Sequence, residues 1–171
     1  PLSIDYASSL DFGVQKITSK DQTYFAATQK YKTVGATDEV KEGPNYVQVT
    51  DNRGTEAGWS LKVKQEGQFK STSGKELTGA AITFKNGNVV TASDSDKPTG
   101  PATITLNSDG SQSDVMSAAK GNGAGTYLFD WGTDATTAAK SIELTVPGST
   151  TKYAEKYATK LTWTLTDAPG N

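Results

Sequence analysis

The sequence predicts an all-β domain: an antiparallel β-sandwich or barrel-like fold with long exposed loops. Three observations predict it. Apolar and polar residues alternate in short runs, the period-two signature of strands with one face in a core and one in water. The runs are punctuated by Asn52-Arg53-Gly54, Asn86-Gly87 and Asp109-Gly110, residues that tolerate the positive φ of tight hairpins. The three-and-four spacing of amphipathic helices is scarce.

The alternation begins at Leu2 to Tyr6, then Gln22 to Ala26 and Asn45 to Thr50. From Trp59 to Gln65, Trp59, Leu61 and Val63 share one face, with Ser60, Lys62 and Lys64 opposite. Gly79 to Phe84 and Ala102 to Leu106 follow. In Gly125 to Trp131, three aromatics, Tyr127, Phe129 and Trp131, alternate with Leu128 and Asp130. These aromatics belong either in the core, which the phase favours, or on an exposed platform. Ile142, Leu144 and Val146 share a face, as do Leu161, Trp163 and Leu165. Pro44, Pro98, Pro101 and Pro147 fall between runs or at their ends, where a missing N–H does little harm.

Three stretches do not read as strand. Ser93 to Gly100 is polar and holds Pro98. Ser108 to Gly123 is rich in Ser, Gly and Asp, with a piece from Asp114 to Ala119 that reads as a helical turn. Lys30 to Gly43 is charged and poor in apolar residues. All three are expected to be exposed loops, and loops this long are often functional. The 171 residues are expected to form a single domain, 1–171.

The chain contains no His and no Cys. Zinc sites built on those ligands, iron–sulfur clusters and ordinary haem ligation are excluded. So are Ser-His-Asp and Cys-His catalysis, which lose their base or nucleophile. A Walker A loop and a Gly-x-Ser-x-Gly elbow are missing, and no acid pair stands out for glycoside hydrolysis. The expectation is a non-catalytic domain without a cofactor. Asp94, Asp96, Asp109 and Asp114 could offer oxygen ligands, but they do not follow a calcium-loop pattern, so no metal site is expected. With 17 basic and 19 acidic residues and a net charge of −2, nothing indicates a nucleic-acid partner. No run approaches the roughly 20 apolar residues of a membrane span, so membrane insertion is not expected. The start at Pro1 shows no leader pattern, so a leader is expected to be absent or already removed, and no LPxTG-type sorting motif occurs in the sequence.

Two Trp-x-Leu triplets remain, Trp59-Ser60-Leu61 and Trp163-Thr164-Leu165, and their surroundings give them weight. The first follows Val47-Gln48-Val49-Thr50-Asp51-Asn52-Arg53-Gly54, and the second runs into Asp167-Ala168-Pro169. Ser3-Ile4-Asp5-Tyr6, Leu10-Asp11-Phe12-Gly13 and Leu77-Thr78-Gly79-Ala80 complete the set. Together they resemble the WxL domain family over essentially the whole chain. The resemblance implies an extracellular domain on the cell-wall surface of a Gram-positive bacterium. It implies non-covalent attachment of a secreted protein to peptidoglycan, often beside a co-encoded surface protein. An adhesin-type domain whose ligand is a partner surface or host protein is the alternative.

The candidate binding or motif residues are Trp59, Leu61, Trp163, Leu165 and Arg53. The two indoles would either stack on glycan or lie on the inner face; their phase with Leu61 and Val63 favours a structural role, since burying a large apolar side chain contributes about 1.5–3 kcal/mol. Arg53, the only arginine, could clasp a carboxylate or phosphate of the wall. Alternatively it pairs with Asp51 and holds the turn before Trp59, which the short sequence separation favours.

Overall fold

A computed structural model describes residues 1–32, 35 and 39–170. In chain order the strands are β1 (Leu2–Ala7), β2 (Gln22–Phe25), β3 (Gln29–Lys32), β4 (Val40–Gly43), β5 (Asn45–Asp51), β6 (Trp59–Gln65), β7 (Lys70–Ser71) and β8 (Ala81–Phe84). They continue with β9 (Gly87–Val90), β10 (Ile104–Thr105), β11 (Gln112–Ala118), β12 (Gly125–Trp131), β13 (Ile142–Val146), β14 (Tyr157–Ala158) and β15 (Leu161–Thr166). One turn of helix, α1 (Ala135–Ala138), is set by a capping box in which Asp134 and Thr137 satisfy each other's backbone amides.

Three sheets carry the fold, with orders β1-β5-β12-β9, β10-β8-β13-β2 and β11-β6-β15. Every strand pairing within them is antiparallel, and the described strands close no barrel. Alternation dictates the core. Val47 and Val49 of β5, Leu61 and Val63 of β6, Tyr127, Phe129 and Trp131 of β12 and Ile142 of β13 are almost without exposed surface. Trp131 joins the sheets: its ring lies 4.7 Å from Phe84 in the second and 6.1 Å from Trp163 in the third.

The Ser108 to Gly123 stretch corrects the sequence reading. It holds no helical turn; Gln112–Ala118 is strand β11, paired along β6. The register shifts between Asp114 and Met116, and this bulge buries two consecutive residues, Val115 and Met116. A bulge adds a residue to one strand and breaks its alternation, so the strand carries no period-two signal. The charged stretch Lys30 to Gly43 contributes the hairpin strands β3 and β4; its residues 33, 34 and 36–38 lie outside the described residues, as does position 171. β9 is a further strand without alternation. Ser93 to Gly100 is irregular apart from isolated bridges at Asp96 and Thr99.

Residues 8–21 also form no regular structure, yet they are tied down. The Asp11 carbonyl accepts from the Ala27 amide at 2.7 Å. The Lys152 ammonium donates to the carbonyls of Thr18, Pro147 and Thr150 at 2.9–3.1 Å, fastening this segment to the loop after β13.

Candidate functional site

The two Trp-x-Leu triplets lie on neighbouring strands. β6 and β15 run antiparallel with Leu61 opposite Leu165 and Val63 opposite Trp163, so the leucines meet and the indoles diverge. Trp59 is fully buried, 6.4 Å from Tyr127, and its indole N–H donates to the Gly123 carbonyl at 3.0 Å. Gly123 has φ +79°, and a Cβ there would stand 2.7 Å from the Trp59 Nε1, so glycine is required on both counts. Trp163, Leu165 and Leu161 are only half-buried, packing on the core from the edge of the third sheet.

Arg53 closes onto its neighbours. Its Nε donates to Asp51 Oδ1 at 2.9 Å and its Nη2 to Asp51 Oδ2 at 3.1 Å, a bidentate pair. Nη2 also donates to the Gly58 carbonyl at 2.8 Å. One guanidinium thereby fixes the turn between β5 and β6, just ahead of Trp59. The Asp51 side chain is 1% exposed, and the Arg53 hydrogen bonds hold its carboxyl below the usual range against the opposing effect of burial.

Arg53 and Leu165 meet on an open groove of about 590 Å³, lined also by Leu2, Ser3, Ile4, Thr166 and Asp167. Its walls are β1, at the margin of the first sheet, and the end of β15, at the margin of the third. Of the five residues singled out from sequence, these two line the groove. Leu61 and Trp59 lie in the core, and Trp163 sits farther along the same edge.

A second surface escaped the residue-by-residue reading. The outer face of the first sheet carries Tyr6, Tyr46, Gln48, Thr50, Thr126 and Asp130, which alternate with the buried positions. The Tyr6 and Tyr46 rings lie 5.0 Å apart at 34°, and Tyr6 is 41% exposed. Beside them Asp5 accepts from Ser3 at 2.7 Å, from Gln48 at 3.0 Å and from Thr50. Burial pulls the Asp5 carboxyl up, but these bonds leave it below its ordinary value. The Tyr6 hydroxyl donates to Gln29 Oε1 at 3.1 Å, linking the β3–β4 hairpin to this face. Asp130 stands opposite Tyr46. Burial pushes its carboxyl up to about 6, and its Oδ1 finds no donor among the described residues. The signal for this face was present in the sequence: where Val47 and Val49 point inward, Tyr46, Gln48 and Thr50 must point outward.

The acidic residues weighed as metal ligands are dispersed. Asp109 caps its own turn by accepting from the Ser111 amide, and Asp114 sits 3.4 Å from Lys62. No group of three or more acidic side chains converges among the described residues.

The scaffold is a layered antiparallel β domain that presents an open groove and a polar sheet face. The particular family follows from a model of the WxL domain, described as surface cell wall-binding, which matches residues 1–169. The chain belongs to the WxL family, and is thus a cell-wall-binding surface domain of a family that is not catalytic. No curated protein and no solved structure matches it.

Proposed function

We propose that this domain attaches a secreted protein non-covalently to peptidoglycan, and that the outer face of its first sheet makes the contact. The Tyr6–Tyr46 ring pair, set among side-chain acceptors on that face, carries the reading. A glycan offers apolar ring faces that pack on tyrosine and hydroxyls that donate to carboxylate and amide oxygens. From Tyr46 to Thr50 the face runs about 13 Å along the strand, enough for an extended polymer to touch more than one sugar. The family match supports the reading, since it spans the folded unit that bears this face.

The test is co-sedimentation with peptidoglycan stripped of protein and attached polymers, over a range of salt. Saturable binding that persists in salt is expected, because packing and neutral hydrogen bonds are screened far less than charge pairs. Tyr6→Ser is expected to weaken binding several-fold. Because it also removes the Tyr46 ring contact and the hydrogen bond to Gln29, it is expected to cost about 0.5–1.5 kcal/mol of stability as well. Binding is therefore compared at a temperature where both proteins are folded. Absence of binding by the folded domain would move the wall contact to a partner.

A further inference from the structure

The six outermost strands of the three large sheets differ in how well they are protected against pairing. β2, β9 and β10 run only four, four and two residues. β1 and β11 carry bulges with an aspartate at each, Asp5 and Asp114. Short length, bulges and charge are the devices that keep a strand edge from recruiting another chain. β15 has none of them. It runs six residues, Leu-Thr-Trp-Thr-Leu-Thr, in unbroken register with β6, without a charge or a proline.

The direction of its backbone groups follows from one hydrogen bond. The Glu66 amide donates to the Lys160 carbonyl at 2.9 Å, so Lys160 faces the β6 side. By alternation Thr162, Thr164 and Thr166 do likewise, and Leu161, Trp163 and Leu165 turn their N–H and C=O groups outward. No hydrogen bond from a described residue meets those outward groups. Across the groove the same logic applies to β1. The Asn52 amide donates to the Pro1 carbonyl at 3.0 Å, so Leu2 and Ile4 turn their main-chain groups toward the groove. Two unpaired edges therefore flank one groove, with the half-buried side chains of Leu2, Ile4 and Leu165 lining it and Trp163 farther along the β15 edge.

We propose that β15 is a strand-addition site: an extended, uncharged segment of a partner polypeptide pairs along Leu161–Thr166 and enlarges the third sheet. Only another backbone supplies donors and acceptors alternating at strand spacing, and a neutral segment matches an edge that contains no charge. Its inward side chains would be apolar at alternate positions, covering Trp163 and Leu165. This surface is separate from the tyrosine face, and the proposal stands apart from the wall-binding reading.

The experiment uses the domain as it is. Amide hydrogen exchange of the free protein comes first: Leu161, Trp163 and Leu165 are expected to exchange rapidly, and Thr162, Thr164 and Thr166 slowly. A displayed library of random peptides, about ten residues long to match one strand, is then panned on the domain. Enriched peptides with alternating apolar residues are expected to bind one to one and to slow exchange at Leu161, Trp163 and Leu165 by about tenfold or more. Leu165→Pro removes one outward donor and is expected to weaken binding by about tenfold, equivalent to 1.4 kcal/mol; should that variant not fold, Thr164→Lys, which sets a charge on the strand, takes its place. Protection at another edge, no enrichment over an unrelated protein, or self-association through β15 in place of peptide binding would each overturn the proposal. Wall binding is measured on Thr164→Lys, which lies outside the tyrosine face, and is expected to be unchanged, so the two readings fail independently.

Discussion

Asp51 and Asp130 are carboxylates on two adjoining strands, and their surroundings push them in opposite directions. Asp51 is buried against Arg53 and held below its ordinary range by the guanidinium hydrogen bonds. A depressed pKa contributes stability above the unfolded value that is lost as pH falls through the folded one. Arg53→Met should therefore lower the melting temperature most at neutral pH, with the deficit narrowing in acid, where the stranded Asp51 can take up a proton. A deficit of constant size across that range would show that the pair does not act through charge. Asp130 has the reverse sign. Its carboxyl is raised to about 6 by burial, so its contribution is complete in acid below the unfolded value and is lost as pH rises through about 6. Asp130→Asn is expected to stabilise the domain by about 1–2 kcal/mol near neutral pH, after discounting for its partial exposure. Denaturant titrations at acidic and neutral pH would check this; equal effects at both would contradict it. Asp51–Arg53 was legible in the sequence because its partners stand only two positions apart. Asp130 was not, since a lone acid between Phe129 and Trp131 reads only as the polar side of a strand.

At the level of single strands, legibility followed periodicity. β5, β6 and β13 announce themselves by alternation, and their side chains divide between core and surface accordingly. β15 alternates in sequence too, but as an edge strand it buries no side chain fully and leaves Thr164 half-buried alongside Trp163 and Leu165. β11 did not, because its bulge places Val115 and Met116 in the core together. Deleting Val115 would remove the extra residue and its burial at once, and is expected to cost upwards of about 3 kcal/mol, comparable with a large core truncation. A urea midpoint within error of the parent would mean that β11 re-registers freely. The parity derived for β15 can be checked with proline alone. Thr164→Pro removes a donor that faces β6 and should destabilise strongly, whereas Leu165→Pro removes one that faces outward and should cost much less. The indole of Trp59 binds β6 to the turn at Gly123; Trp59→Phe is expected to lose about 1–3 kcal/mol from the hydrogen bond and the missing volume, read by thermal unfolding.

Over the whole molecule, the all-β class was readable, but the pairing of strands was not. β1 pairs with β5 and β5 with β12, so Thr50 meets Thr126 at a sequence separation of 76. Alternation tells which face of a strand is wet, not which other strand lies beside it. The cell-wall-binding class likewise came from motif resemblance, since no composition or periodicity marks a domain as wall-binding. A topology of such distant pairings folds slowly, and refolding on the millisecond-to-second scale is expected by stopped-flow fluorescence. The aromatic chain that joins the sheets makes that experiment direct. Trp131 and Trp163 come from different sheets and stand 6.1 Å apart, close enough for their electronic transitions to mix. Only when both sheets have docked do the two indoles behave as one coupled chromophore, so the domain's near-ultraviolet circular dichroism is an optical gauge of assembly built in without any label.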